Sequence, residues 1–223
     1  MRRFLQVPLP DEGELLLGEA SSHHLLQVAK LTRDSELGLF DGSGREATAV
    51  LLGAQDGRAL VRIVGPVRRA RPEREVHLIL AVLKGDAMAH ALRMATEAGV
   101  TGVWPVLTQR TIPKGDKGDR WRRIVQSAAQ QCGRSDLPEV FPVRSLAQQL
   151  EQLPPVDQHF VAAPGAEPSE VKGQTVAVAI GPEGGWTDHE LRMFDAEGWQ
   201  PLGLGRWVLR ADTATAIAIH RLA

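Results

Sequence analysis

Two loops near the end of the chain carry the residues whose types and spacing suit chemistry. One reads Gly181-Pro182-Glu183-Gly184-Gly185. The other reads Leu202-Gly203-Leu204-Gly205-Arg206-Trp207-Val208-Leu209-Arg210-Ala211-Asp212-Thr213-Ala214. Glycines let main chain approach a ligand closely and adopt φ > 0, and Pro182 stiffens its turn. No Gly-Lys-Ser/Thr follows the first loop, so it is not a phosphate loop. Gly203 and Gly205 lack the third glycine of a dinucleotide fingerprint, because valine stands at Val208. Both loops are rich in backbone, with few polar side chains and no metal-ligand pattern. They suit a small polar cofactor held mainly by main-chain groups. A plain tight turn between a strand and a helix would have the same letters at 181–185.

The elements that must position these loops alternate between strand and helix. Residues 175–180 form a continuous apolar run, as in a strand buried on both faces, and end in the Gly181 turn. Thr187 with Glu190 three residues on is a capping box for the next helix, which Gly198 closes. Residues 200–202 and 207–209 are short strand candidates. The final helix starts near Asp212 and carries Ala214, Ile217, Ala218 and Leu222. Upstream, 76–83 and 100–106 read as buried strands. The helix between them is capped by Asp86, with Met88, Ala91, Leu92 and Ala95 on one face and Gly99 at its end. Another helix runs from Asp119 as N-cap to Gly133, with Trp121, Ile124, Val125 and Ala128 inward. Residues 145–153 are helical and 159–162 a short strand. This pattern predicts an α/β fold with a parallel, doubly wound sheet. Ligands bind such sheets beyond the carboxyl ends of the strands.

The first part of the chain reads differently. Asp-Gly turns at Asp41-Gly42 and Asp56-Gly57 separate short runs at 37–40, 46–52 and 59–64, which signals β-hairpins. Residues 23–30 are the one helical candidate, opened by Ser21 or Ser22. Two prolines, Pro66 and Pro72, bracket an arginine-rich linker. The expected domains are therefore 1–72 and 73–223.

Composition narrows the function classes. A net charge of −1 over 223 residues argues against a uniformly basic nucleic-acid coat. Charge is nonetheless uneven: Arg68, Arg69, Arg71 and Arg74 crowd one segment, and Arg110, Lys114, Lys117, Arg120, Arg122, Arg123 and Arg134 another, offset by Asp116 and Asp119. Such clusters can engage phosphates, although solvated helix faces look alike. Cys132 is alone, so no internal disulfide or cysteine-based metal site is expected. The N-terminus has no long apolar run, so neither a signal peptide nor a membrane span is expected, and a cytoplasmic location follows.

The combination of the two loops is more specific than either. The Gly181–185 turn followed by Leu204-Gly205, Leu209-Arg210 and Asp212-Thr213-Ala214 resembles the SPOUT (trefoil-knotted) RNA methyltransferases. Within them it resembles the family that methylates N3 of a uridine in 16S ribosomal RNA. The likeness extends through Leu83-Lys84-Gly85-Asp86, Thr96-Glu97-Ala98-Gly99-Val100, Pro105-Val106-Leu107-Thr108-Gln109-Arg110 and Gln131-Cys132-Gly133-Arg134. His23-His24 and Phe40-Asp41-Gly42 resemble that family's N-terminal PUA-like barrel. The resemblance implies a C-terminal knot, S-adenosylmethionine as methyl donor, no metal, and a homodimer acting on 16S rRNA of the small ribosomal subunit. Positions matching its cofactor contacts are Gly181, Pro182, Glu183, Gly184, Leu202, Gly203, Leu204, Leu209, Arg210, Asp212 and Ala214. The chain departs from the family at Ala211-Asp212, where Thr-Glu is usual.

Methylation at uridine N3 requires loss of a proton, which a positioned cation or a general base assists. Arg210 is the first candidate for the cation. Asp212 is a candidate base, or alternatively a helix N-cap. Glu97 is a further candidate base, or a solvated carboxylate at a helix end. For RNA contact the candidates are Arg110, Arg122, Arg123, Arg134, which could clamp a phosphate or the target base, and His24, otherwise structural. Trp104 reads as core, whereas Trp186 is either core or a stacking platform. Two other functions compete: a methyltransferase of the same fold acting on a ribose 2′-hydroxyl or a tRNA base, and a non-catalytic RNA-binding ribosome-assembly factor.

Overall fold

Strand pairing and packing divide the protein into two units, Met1–Arg71 with Ala129–Leu137, and Pro72–Ala128 with Pro138–Ala223. The computed structural model describes residues 1–70, 72–111, 117–167 and 169–223. Of the basic clusters, Arg71 and Lys114 lie outside the described residues, as does Asp116.

In the first unit the elements are β1 (Arg2–Leu5), β2 (Glu14–Leu16), α1 (Glu19–His23), β3 (Glu36–Phe40), β4 (Arg45–Gln55), β5 (Arg58–Ile63) and β6 (Arg68–Arg69). The sheet order is β1-β3-β4-β5-β2, with β6 also on β4. β1 runs parallel to β3, and the hairpin neighbours β3, β4 and β5 are antiparallel. Alternate residues of β4, Ala47, Ala49 and Leu51, point into a core with Phe4, Leu37, Leu39 and Val61. The Asp41-Gly42 turn is set by the Asp41 carboxylate, which accepts the Ser43 N–H at 2.8 Å. The helix of this unit differs from the sequence expectation. It spans Glu19–His23 and continues as a π-helical turn over His24–Val28. Neither serine caps it. The Ser22 hydroxyl donates to Leu17 O and accepts the Ala59 N–H, so it ties the helix to β5 instead.

The second unit contains β7 (Glu75–Ala81), α2 (Ala87–Ala98), β8 (Gly102–Leu107), α3 (Gly118–Cys132, whose residues from Ala129 on belong to the first unit), β9 (Glu139–Val140), β10 (Arg144–Ser145) and α4 (Leu146–Gln152). After these come β11 (Gln158–Ala162), β12 (Thr175–Ile180), α5 (Asp188–Ala196), β13 (Gln200–Leu202) and α6 (Ala211–Leu222). The parallel sheet has the order β10-β8-β7-β12-β11-β13, with β9 also on β8. Its two central strands are apolar over most of their length, His77 being the polar residue inside β7, because both faces are covered. Val76, Leu78 and Leu80 with Val176, Val178 and Ile180 face α2 and α6. Ile79, Ala81, Ala177 and Ala179 face the other way, against Trp104, Leu146, Phe194 and Trp199. Trp104 is core, stacked on Phe141 at 3.6 Å between ring centroids. β7 and β12 lie side by side, and the chain leaves them for opposite flanks of the sheet. That switch point opens a crevice at their carboxyl ends.

Three local expectations change. Residues 207–209 form no strand; Trp207 and Val208 are 71% and 80% exposed. α3 begins at Gly118, so Asp119 sits in its first turn and pairs with Arg122 at 2.8 Å instead of capping. Asp86 occupies the N-cap position of α2 without a side-chain capping bond. No helix is long and apolar enough to cross a membrane among the described residues.

Candidate active site

β12 delivers the glycine turn to the crevice. Gly185, at φ +72°, closes the turn by donating to Pro182 O at 2.8 Å. The Glu183 carboxylate accepts the Lys84 N–H at 3.2 Å and so ties the turn to the loop after β7. Trp186 packs over Gly181 so closely that a Cβ there would lie 3.1 Å from the indole nitrogen. That Nε1 is buried with no hydrogen-bond partner among the described residues.

The next residues brace the turn from outside. Thr187 and Glu190 form the expected capping box of α5: Glu190 accepts from the Thr187 N–H at 2.8 Å, and the Thr187 hydroxyl accepts from the Glu190 N–H. Glu190 is only 3% exposed. Its other carboxylate oxygen accepts the Gln109 N–H at 2.9 Å, drawing in the loop that follows β8. Arg110 then donates to Gly184 O, and to Trp186 O at 3.4 Å.

The second loop leaves β13 at Leu202, whose carbonyl accepts the Ala163 N–H at 3.1 Å. Gly203 is required by close approach: a Cβ would lie 1.9 Å from Ala166 O. Arg221 of α6 donates to Gly203 O. The loop ends at Arg210, the N-cap position of α6. Asp212 is therefore not the cap; it lies inside the first turn. Its Oδ1 accepts from Arg210 Nε at 3.3 Å and from the Thr213 N–H at 3.0 Å. Burial pushes the Asp212 carboxyl up, but the Arg210 side chain and the Thr213 amide together outweigh it and hold its pKa below the usual carboxylate value. Asp212 is thus ionised at neutral pH. His90 Nδ1 stands 3.9 Å from the other carboxylate oxygen.

These loops and the end of β11 enclose a cavity of about 780 Å³. Of the residues singled out from the sequence, Gly181, Pro182, Glu183, Gly184, Leu204, Leu209, Arg210, Asp212 and Ala214 line it. Leu202 and Gly203 do not: Leu202 is core, and the Gly203 backbone is packed on Ala166. Arg110, read as an RNA contact, lines the cavity wall. The sequence reading missed Ala87, Ala162, Ala163, Pro164 and Leu191, which also line it. No local motif marks these residues; only the sheet order brings β11 beside β12. Trp186 is a wall residue, half-buried.

The other candidates lie elsewhere. Glu97 is exposed near the far end of α2, ten residues beyond the cavity-lining Ala87. At 1.5 Å per residue that is about 15 Å along the helix, so the structure does not bring Glu97 to the cavity as a base. Arg122 and Arg123 are exposed on the first turns of α3, each bonded to Asp119. In the first unit, Arg134 pairs with Asp136, and exposed His24 packs edge-on against Phe4. Among the described residues, no group of three or more His, Cys, Asp or Glu side chains is placed to hold a metal.

The RNA methyltransferase domain profile matches residues 70–223, and the RNA methyltransferase PUA domain profile matches residues 17–64. The chain is 32% identical over 222 residues to the ribosomal RNA small subunit methyltransferase E of Synechocystis, covering 95% of this chain and 73% of that protein. The Bacillus subtilis protein of that name is 25% identical over 219 residues, covering 90% and 86%. Among solved structures, ribosomal RNA small subunit methyltransferase E from Neisseria gonorrhoeae bound to S-adenosyl methionine superposes with a TM-score of 0.90 at 29% identity, covering 99% of this chain and 96% of that one. A Legionella pneumophila methyltransferase in complex with the same cofactor gives 0.86 at 30% identity, covering 97% and 94%.

Proposed function

Because the chain belongs to the ribosomal RNA small subunit methyltransferase E family, we propose that it transfers a methyl group from S-adenosylmethionine to 16S rRNA, at N3 of a uridine. The observation that carries this reading is the convergence of both C-terminal loops on one cavity, with Arg210 and Asp212 at its edge. The relatives from Neisseria and Legionella hold the same cofactor, which supports the choice of methyl donor.

The residues present fit that cofactor. A cavity of about 780 Å³ is of the size ligand sites have. Leu204, Leu209 and Ala214 offer apolar wall for a planar base, and the 181–185 main chain offers polar groups without side-chain bulk. The unpartnered Trp186 Nε1 marks a wall with spare donor capacity. S-adenosylmethionine, when bound, supplies an electrophilic methyl group on a sulfonium.

The chain's own contribution is positioning and charge. N3 of uracil gives up its proton as it takes the methyl group, and negative charge spreads onto the flanking carbonyl oxygens. Arg210, 78% exposed at the cavity edge, presents a permanent cation to that charge. Asp212 holds the guanidinium from its Nε side, leaving the remaining N–H groups free to face a substrate. Its lowered pKa makes Asp212 a poor base at neutral pH. We therefore assign it to orienting Arg210, and the N3 proton to solvent. A homodimer belongs to the same reading, supported by the exposed Trp207 and Val208.

The test is to incubate purified protein and S-adenosylmethionine with unmodified 30S particles or naked 16S rRNA and map the product by mass spectrometry. A single N3-methyluridine is expected. A methyl group on a ribose or another base would overturn the acceptor, and no transfer to either RNA would overturn the activity.

A further inference from the structure

The loop between β7 and α2 serves a second depression as well as the cavity. Ala87 lines the cavity, and the Lys84 N–H is held by Glu183 of the glycine turn. Lys84, Gly85 and Met88 also line a small pocket of about 40 Å³, closed opposite by Lys117, Arg120 and Trp121. Three cations thus surround one hollow. Among the described residues none of the three is in an ion pair. Asp119, in the first turn of α3 beside Arg120, is engaged by Arg122 at 2.8 Å. Lys117 immediately precedes α3 and Arg120 lies in its first turn, where free helical N–H groups already make a positive end. Cations there oppose the helix dipole and each other, and no carboxylate pairs with them among the described residues. A local rule broken without an internal partner marks a position kept for a ligand.

We propose that this pocket is the subsite for one backbone phosphodiester of the RNA strand whose target nucleotide enters the neighbouring cavity. The proposal rests on the RNA methyltransferase reading above. Phosphate oxygens are strong acceptors, suited to a lysine point charge and to the forked N–H groups of Arg120. The apolar floor of Met88 and Trp121 keeps water from one side of the contact, which strengthens it. Because the 84–87 turn is shared by both hollows, a phosphate seated here fixes the strand's register over the cavity. It positions the RNA and reads no sequence.

The experiment measures binding of 16S rRNA to wild type and to the Lys117→Gln/Arg120→Gln double variant over about 50 to 200 mM salt. S-adenosylmethionine affinity serves as the control for an intact fold. One lost phosphate contact to a single strand should lower the slope of log K against log salt by about 0.7. Arg120→Lys, which keeps the charge, should keep most of the slope. Inorganic phosphate, added at constant ionic strength, should weaken RNA binding by wild type and not by the double variant. An unchanged slope in the double variant overturns the proposal. So does phosphate that binds without competing with RNA, which would make this a free-anion site. The readout is binding, so an acceptor other than uridine N3 would overturn the proposed function and leave this result standing.

Discussion

Arg210 Nε lies 3.3 Å from Asp212 Oδ1, and the two partners differ in setting: the carboxylate is 10% exposed and the guanidinium 78%. The pair is held from the protein side and open toward the cavity edge. Removing a preorganised donor of this kind costs about 10²–10³ in kcat. Arg210→Ala should therefore lose methyl transfer by at least that factor, while calorimetry shows S-adenosylmethionine bound within a few-fold of wild type. Arg210→Lys keeps the charge but not the fork, and should recover only part of the rate. Full activity in Arg210→Ala would remove it from the mechanism.

Asp212→Asn tests the orienting role against a general base. A base would leave activity near that of the Arg210→Ala variant, whereas loss of orientation alone should cost roughly tenfold. The stability effect has a defined sign. The folded pKa of Asp212 lies below the ordinary value of 3.8, so its contribution is present above that value and is lost as pH falls through the folded pKa. The gap in stability between wild type and Asp212→Asn should be constant near neutral pH and close below about pH 3.8. A gap that widened on acidification would contradict the assignment.

Glu97→Gln should retain wild-type kcat and KM. The side chain is exposed and stands about 15 Å along α2 from the cavity by the helical rise. A hundredfold loss of kcat with unchanged thermal stability would mean that Glu97 reaches the reacting atoms by a route absent from this chain's own cavity.

What was legible in the sequence was what short-range physics dictates. Residues 175–180 read as a doubly buried strand because both faces of β12 are covered, and the Thr187–Glu190 box formed because its bonds are local. The cavity's two main walls were legible for a related reason: each is a loop with its own glycine pattern. Where the reading failed, a long-range contact had taken over a residue with a plausible local role. Ser22 is drawn to Ala59 and Leu17 instead of capping a helix, and Asp212 moved into the first turn of α6. Ala162 and Pro164 were invisible because β11 meets β12 by parallel pairing across a crossover. Residues 207–209 have strand composition but no partner strand.

Glu190 should be the residue on which the outer wall depends. Its carboxylate accepts from Thr187, and from Gln109 across 81 positions of sequence. Glu190→Ala leaves those donors unsatisfied in a buried setting, at a cost of roughly 2 kcal/mol, or about 4–8 °C in Tm for a chain of this size. Glu190→Gln keeps an acceptor and should lose less than half as much. The cavity should feel the change as well, because Arg110 follows Gln109 and donates to Gly184. Weaker S-adenosylmethionine binding in Glu190→Ala than in Glu190→Gln is the expected order.

Gly203 and Gly205 differ in why they are glycine, and alanine separates the two reasons. At Gly203 a Cβ would be driven against backbone, 1.9 Å from Ala166 O and 2.7 Å from its carbonyl carbon. Backbone cannot rotate away as a side chain would, so the segment after β11 must shift, at about 1–3 kcal/mol. That segment carries Ala163 and Pro164 into the cavity, so Gly203→Ala should also weaken S-adenosylmethionine binding, by roughly tenfold for each 1.4 kcal/mol that reaches the site. At Gly205 nothing among the described residues lies within 4 Å of a Cβ, and its φ of +134° is what disfavours alanine. Gly205→Ala should cost about 1 kcal/mol through that conformation. Chemical denaturation and calorimetry on both variants check the contrast: equal losses of cofactor affinity would show that the Gly203–Ala166 contact does not shape the cavity.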